Sequence, residues 1–120
     1  MTVAKQVVDA LNSANIEGLG KAYSFLIPAS SLNSETKALI AVSEIMQLPT
    51  EYGSNTYNQM DQRIQVKICY PKNGQINADE FENSISSFFM RKNWLRQSDI
   101  GHYIDEQGRI EIDLFFNRRN

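Results

Sequence analysis

The sequence predicts an α+β domain: a mainly antiparallel sheet of about five strands covered by two helices, in the order helix, three strands, helix, two strands. Three observations carry this prediction. From Met60 to Tyr70 apolar and polar residues alternate almost without a break, as in a strand with one buried face. Phe81, Ile85, Phe88 and Phe89 recur at helical spacing and form one broad apolar stripe. Ile110, Ile112, Leu114 and Phe116 alternate with Arg109, Glu111, Asp113 and Phe115, a second half-buried strand. The chain has 120 residues, 42% hydrophobic and 22% charged, which suits a single domain over 1–120 with its own core.

The elements follow in order. Thr2 can cap a first helix with Val3, Val7 and Leu11 on one face and Val8 beside it. Gly18 and Gly20 place the end of that helix near Asn15. Lys21 to Pro28 reads as a strand with Tyr23, Phe25 and Ile27 on one face. A Ser/Asn-rich connection leads to Ala38–Ile45, continuous enough for a strand buried on both faces, with a short helix as the alternative. Met46 to Gln59 is a long stretch rich in turn-forming residues. In the strand that follows, Met60, Gln62, Ile64, Val66, Ile68 and Tyr70 face one way, and Asp61, Arg63, Gln65, Lys67 and Cys69 the other. Asn77 starts the second helix with its side chain placed for the Glu80 amide, and Ile76 and Phe81 stand at the spacing of a hydrophobic staple. Trp94 and Leu95 follow at its end among Arg91, Lys92 and Arg96, cations that suit the negative pole of a helix. Ile100–Ile104 and Arg109–Phe116 make a closing hairpin, with Gly108 placed for a bulged turn.

Composition and motifs remove several function classes. A formal net charge of −2 gives no electrostatic footprint for sequence-specific nucleic-acid binding. No apolar run approaches the roughly 20 residues that cross a bilayer, so a membrane partner is not expected. One cysteine, Cys69, allows no intrachain disulfide and fits a reducing cytoplasm. His102 is the one histidine, so any catalytic triad would have to be built on it; its place between Ile100 and Ile104 in a strand reads as structural. One His and one Cys cannot make a structural zinc site, and Asp79, Glu80 and Glu82 fit the first turn of a helix without a metal. Gly18-Leu19-Gly20 lacks the further glycine and helix of a phosphate loop. The expectation is no catalytic residue, no metal and no cofactor.

What remains is surface suited to protein contacts. Tyr52 and Tyr57 flank a Gly53–Thr56 loop containing Asn55; they either fold back onto the sheet or meet a partner. Asp61, Arg63, Gln65 and Lys67 make one mixed-charge strand face, and Arg109, Glu111 and Asp113 another. Phe115 either packs under a helix or marks a subunit contact.

Taken along the chain, several segments resemble one family. A helix leads to Lys21-Ala22-Tyr23 and a strand ending Ile27-Pro28, then the apolar Leu39-Ile40-Ala41-Val42. Tyr52-Gly53-Ser54-Asn55-Thr56-Tyr57 runs into Gln65-Val66-Lys67-Ile68-Cys69-Tyr70, and Asn93-Trp94, Gly101-His102 and a closing strand follow. Nearly the whole chain resembles the small tail-terminator, or tail-completion, proteins of long-tailed phages and prophages of Gram-positive bacteria. The resemblance implies a structural virion protein, assembled in the bacterial host cytoplasm. It would close into a ring, commonly of about six copies, at the head-proximal end of the tail. Its partners would be other copies of itself, the major tail protein and the neck or connector proteins. A head–tail connector or neck protein, and a soluble adaptor outside the virion, are the alternative readings. A head-to-tail ring needs two complementary patches per subunit. The candidates are Tyr52, Asn55, Tyr57, Asp61, Arg63, Gln65, Lys67, Arg109, Glu111 and Asp113.

Overall fold

The computed structural model describes residues 2–28, 37–44, 61–71, 76–97, 100–104 and 109–119. Helix α1 (Val3–Ser13) starts where Thr2 Oγ1 accepts from the Lys5 amide at 3.1 Å, the expected cap. It buries Ala4, Val7, Val8 and Leu11 and ends at Ala14, followed by Asn15 with φ of 53°. Gly18 then takes φ of 90°, and a Cβ there would stand 3.2 Å from Phe81 Cδ1. Glycine is therefore needed for both conformation and space. The chain continues through β1 (Leu19–Ser24), β2 (Ala38–Glu44), β3 (Asp61–Cys69), helix α2 (Ala78–Met90), β4 (Leu95–Arg96), β5 (Ile100–Ile104) and β6 (Ile110–Arg119).

These strands form one six-stranded sheet in the order β1-β2-β3-β6-β4, with β5 also paired to β6. β4 pairs with Phe116 and Asn117, and β5 with the stretch from Ile110 to Asp113, so the two share one edge of β6. The described pairs are antiparallel except β1 with β2, which are parallel.

The α+β class stands, but the expectation of a mainly antiparallel sheet of about five strands does not. The sheet is mixed and has six strands. Residues 25–37 are long enough to carry the chain back to the starting end of β1, as a parallel neighbour requires. Alternation of apolar residues is the same in either strand direction, so it could not reveal this. The additional strand, Leu95–Arg96, is too short to show a period, and the sequence placed it at the end of α2. In fact α2 stops at Met90; a turn follows in which Asn93 adopts φ of 70° and its amide bonds the Met90 carbonyl. β1 also ends sooner than expected. Phe25 has φ of 68°, and the Leu26 amide bonds the Ser24 carbonyl at 2.7 Å, a γ-turn that breaks the strand. Tyr23 and Ile27 do meet on one side, but Phe25 is 52% exposed.

The core lies between one face of the sheet and helices α1 and α2. α1 and α2 contribute the residues above together with Phe81, Ile85, Phe88 and Phe89. The sheet answers with Ile40 and Val42 of β2, Ile64, Val66 and Ile68 of β3, and Ile112, Leu114 and Phe116 of β6. Phe89 stacks on Phe116 at 4.3 Å and meets Trp94 edge-on at 6.4 Å, and Trp94 is 1% exposed. α2 begins as expected, with the Glu80 amide donating to Asn77 Oδ1 at 3.2 Å. β2 is a strand buried on both faces from Ala38 to Val42, which excludes the short-helix alternative.

The outer edge of β1 is closed at one point by a side chain. Asn12 of α1 donates from Nδ2 to the Ala22 carbonyl at 3.1 Å and accepts the Ala22 amide on Oδ1 at 2.9 Å. Its amide thus stands where a further strand would pair, and blunts the edge against addition of another chain.

Candidate functional site

The two strand faces that the sequence offered as separate candidates are one surface. β3 and β6 pair so that Arg63 stands opposite Asn117, Gln65 opposite Phe115, Lys67 opposite Asp113 and Cys69 opposite Glu111. All eight point away from the helices, because their neighbours at the alternate positions form the core. Arg63, Gln65, Lys67, Phe115 and Asn117 are half-buried, and Cys69, Glu111 and Asp113 are buried. Arg109, just ahead of β6, is buried too, at 4% exposure. The Asp61 backbone pairs with Arg119 at the end of the ladder. Tyr52, Asn55 and Tyr57 lie outside the described residues.

Polar groups on this face are partly engaged with each other. Cys69 Sγ donates to Glu111 Oε1 at 3.4 Å. The Tyr103 hydroxyl donates to Asp113 Oδ2 at 3.2 Å, and the Arg63 guanidinium lies 5.8 Å from the centre of the Phe115 ring. Burial, followed by the charges of Asp113 and Glu111, pushes the Tyr103 phenol well above its ordinary pKa. Among the described residues, three buried side-chain atoms have no hydrogen-bond partner: Arg63 Nε, Asp113 Oδ1 and Asn117 Oδ1. All three belong to this face. Buried polar groups are almost always paired, and leaving one unpaired costs about 1–3 kcal/mol.

Toward β1 the face deepens into a cleft of about 330 Å³. Phe25, Leu26 and Ile27 form one wall, and Ala41, Ser43, Gln65, Lys67, Cys69 and Glu111 the floor and far side. Sequence reasoning missed Phe25 and Leu26 as part of this surface. Extending the strand to Pro28 hid the γ-turn that turns them outward.

A second polar cluster lies on the helix side of the sheet, where Tyr70 follows Cys69 at the end of β3. Tyr70 donates to Glu82 Oε2 at 2.7 Å, and His102 Nε2 lies 2.6 Å from the same oxygen. Burial, then the hydrogen bond and charge of Glu82, raise the Tyr70 phenol far above its ordinary value. The arrangement ties β3, α2 and β5 together through one carboxylate. Sequence reasoning placed His102 in a strand but not against Glu82. The irregular register between Ile100 and Tyr103 shifts the alternation, so that His102 reaches α2 while Tyr103 reaches Asp113.

Among the described residues no group of three or more His, Cys, Asp or Glu side chains could hold a metal ion. No described helix is long and apolar enough to cross a membrane. A family model described as "Protein of unknown function (DUF806)" matches residues 1–119. The chain belongs to that family. No curated protein matches it. The match takes in every described element, from α1 to β6.

Proposed function

We propose that this protein is a phage tail terminator. Copies of it close into a ring at the head-proximal end of the tail tube, stop tube growth and present the surface on which the neck docks. The observation that carries the reading is the face of β3 and β6 turned away from α1 and α2. Arg63, Gln65, Lys67, Glu111 and Asp113 form a mixed-charge strip across paired strands, and with the neighbouring Asn117 they carry the three unpaired buried polar atoms found among the described residues. A face of this kind suits a contact that supplies hydrogen-bond partners from another chain. The whole-chain resemblance to small tail-terminator proteins supports the same reading and gives the contact its occupants, the tail tube or the next subunit.

The test is tail length. A phage lacking the gene should make overlong tubes, visible in micrographs of lysates, and normal-length tails left unjoined would assign the protein to the neck instead. Complementation sharpens it. Arg63→Ala with Lys67→Ala should fail to restore tail length while changing the stability of the purified chain by less than about 0.5 kcal/mol. Full restoration by that variant would remove the face from the mechanism.

A further inference from the structure

The exposed apolar side chains of the α2 half of the molecule sit at its two ends, and the exposed charges described beside them are basic at one end and acidic at the other, where the neighbouring Arg109 is buried. At one end, where α2 finishes over Phe116, stand Met90 and Leu95, 60% and 62% exposed. Around them are the exposed Arg91 and Lys92, with Arg96 and Arg118 close by. Lys92 Nζ lies 5.3 Å from the Phe88 ring centre, and the Arg118 guanidinium 4.4 Å from that of Trp94. Among the described residues no carboxylate forms an ion pair with Arg91, Lys92 or Arg118. At the other end, where α2 begins beside Tyr70, stand Ile104 and Ile110, register partners that are 69% and 47% exposed. The exposed Asp79 and Glu80 open α2 there.

We infer that the ring contact joins these two ends, the Met90–Leu95 basic end of one copy to the Ile104–Ile110 acidic end of the next. The inference rests on the ring reading above and names its interface. The α2 dipole accounts for Asp79, Glu80, Arg91 and Lys92 singly, and Gln62 and Trp94 hold Arg118, but nothing among the described residues accounts for four exposed apolar side chains beside them. Charge complementarity identifies the occupant as a second copy, because both halves of the contact are on one chain. A contact between different patches is heterologous, and it closes into a ring when the rotation between copies allows. The α2 dipoles then run head to tail from copy to copy, which adds to the attraction. The β3–β6 face is left free for the tube.

The test is native mass spectrometry of the full chain, with circular dichroism as the control for folding. Wild type gives the ring mass. Arg91→Glu with Lys92→Glu gives monomer, and so does Asp79→Lys with Glu80→Lys. All four substitutions in one chain restore the ring, because both ends have changed sign together. Ile104→Asn, at a position already largely exposed and outside α2, lowers ring population about tenfold at a given concentration. Reversal of either end with the ring mass unchanged overturns the end-to-end contact and leaves the ring reading standing. A wild type that stays monomeric at every concentration, and in assembled tails, removes both. Normal assembly of the Arg91/Lys92 reversal with weaker retention on DNA would give that end to nucleic acid and overturn the inference.

Discussion

On the helix-covered side of β3, Ile64, Val66 and Ile68 have no measurable exposure; on the other side of the same strand, Arg63, Gln65 and Lys67 are half-buried. The partner strand β6 repeats the contrast, with Ile112, Leu114 and Phe116 inside and Asp113, Phe115 and Asn117 outside. Yet the second face is not ordinary wet surface. Glu111 and Asp113 are less than 10% exposed, and three buried polar atoms go without partners there. One strand pair therefore holds the fold together on one side and keeps a polar, incompletely paired surface on the other. Stability should depend on the first face and assembly on the second.

The strongest way to break that distinction is to truncate one aromatic residue on each side. Phe89→Ala removes the ring that stacks on Phe116 and meets Phe88 and Trp94 edge-on. It should cost about 3–5 kcal/mol in denaturant unfolding. Phe115→Ala, on the opposite face, should cost about 1 kcal/mol or less, since it gives up a half-buried ring and a contact with Arg63. Equal losses would mean that both faces are core.

A smaller effect separates the guarded sheet edge from the interior. Asn12→Ala leaves the Ala22 amide and carbonyl without their present partners and should cost about 1–3 kcal/mol. It should also raise the tendency to aggregate, read by light scattering, because the β1 edge is opened to pairing. A variant as stable and as soluble as wild type would show that the Asn12 amide is not guarding the edge.

The smallest effect at neutral pH compares two phenols, the buried Tyr70 on the helix side and the half-buried Tyr103 on the other face. Both Tyr70 and Tyr103 ionise in the folded chain far above the unfolded value of 10.0. Their contribution is complete below that value. Above about pH 10 the unfolded state loses the protons while the folded state keeps them, so stability falls as pH rises. Tyr70→Phe and Tyr103→Phe should each flatten the fall of melting temperature above pH 10. If neither does, the phenols are not the source of the alkaline loss.

Much of this was legible from residues close together in the chain. The Thr2 and Asn77 caps, the burial of Val7, Val8 and Leu11, the alternation of β3 and the apolar stripe of α2 all rest on spacings of two to four residues. The charged residues of β3 and β6 were also identifiable, because strict alternation sets them opposite the apolar ones. That they form a single surface was not, since it depends on pairing Lys67 with Asp113, far apart in sequence. The cleft was hidden for a related reason: Phe25 and Leu26 look like strand residues until the γ-turn and the β1–β2 register turn them out.

The sequence by itself determined the α+β class, two helices with their N-terminal caps, and which side of β3 and of β6 is apolar. Each follows from local periodicity and local hydrogen bonding, which involve few residues at a time. Only the tertiary structure decided the parallel pairing of β1 and β2, the short β4, the Asn12 clamp, the Tyr70–Glu82–His102 tie and the merging of two charged strips into one face. The physical reason is that strand direction and partnership are set by contacts between distant segments, and an alternating strand pairs as well in one direction as in the other.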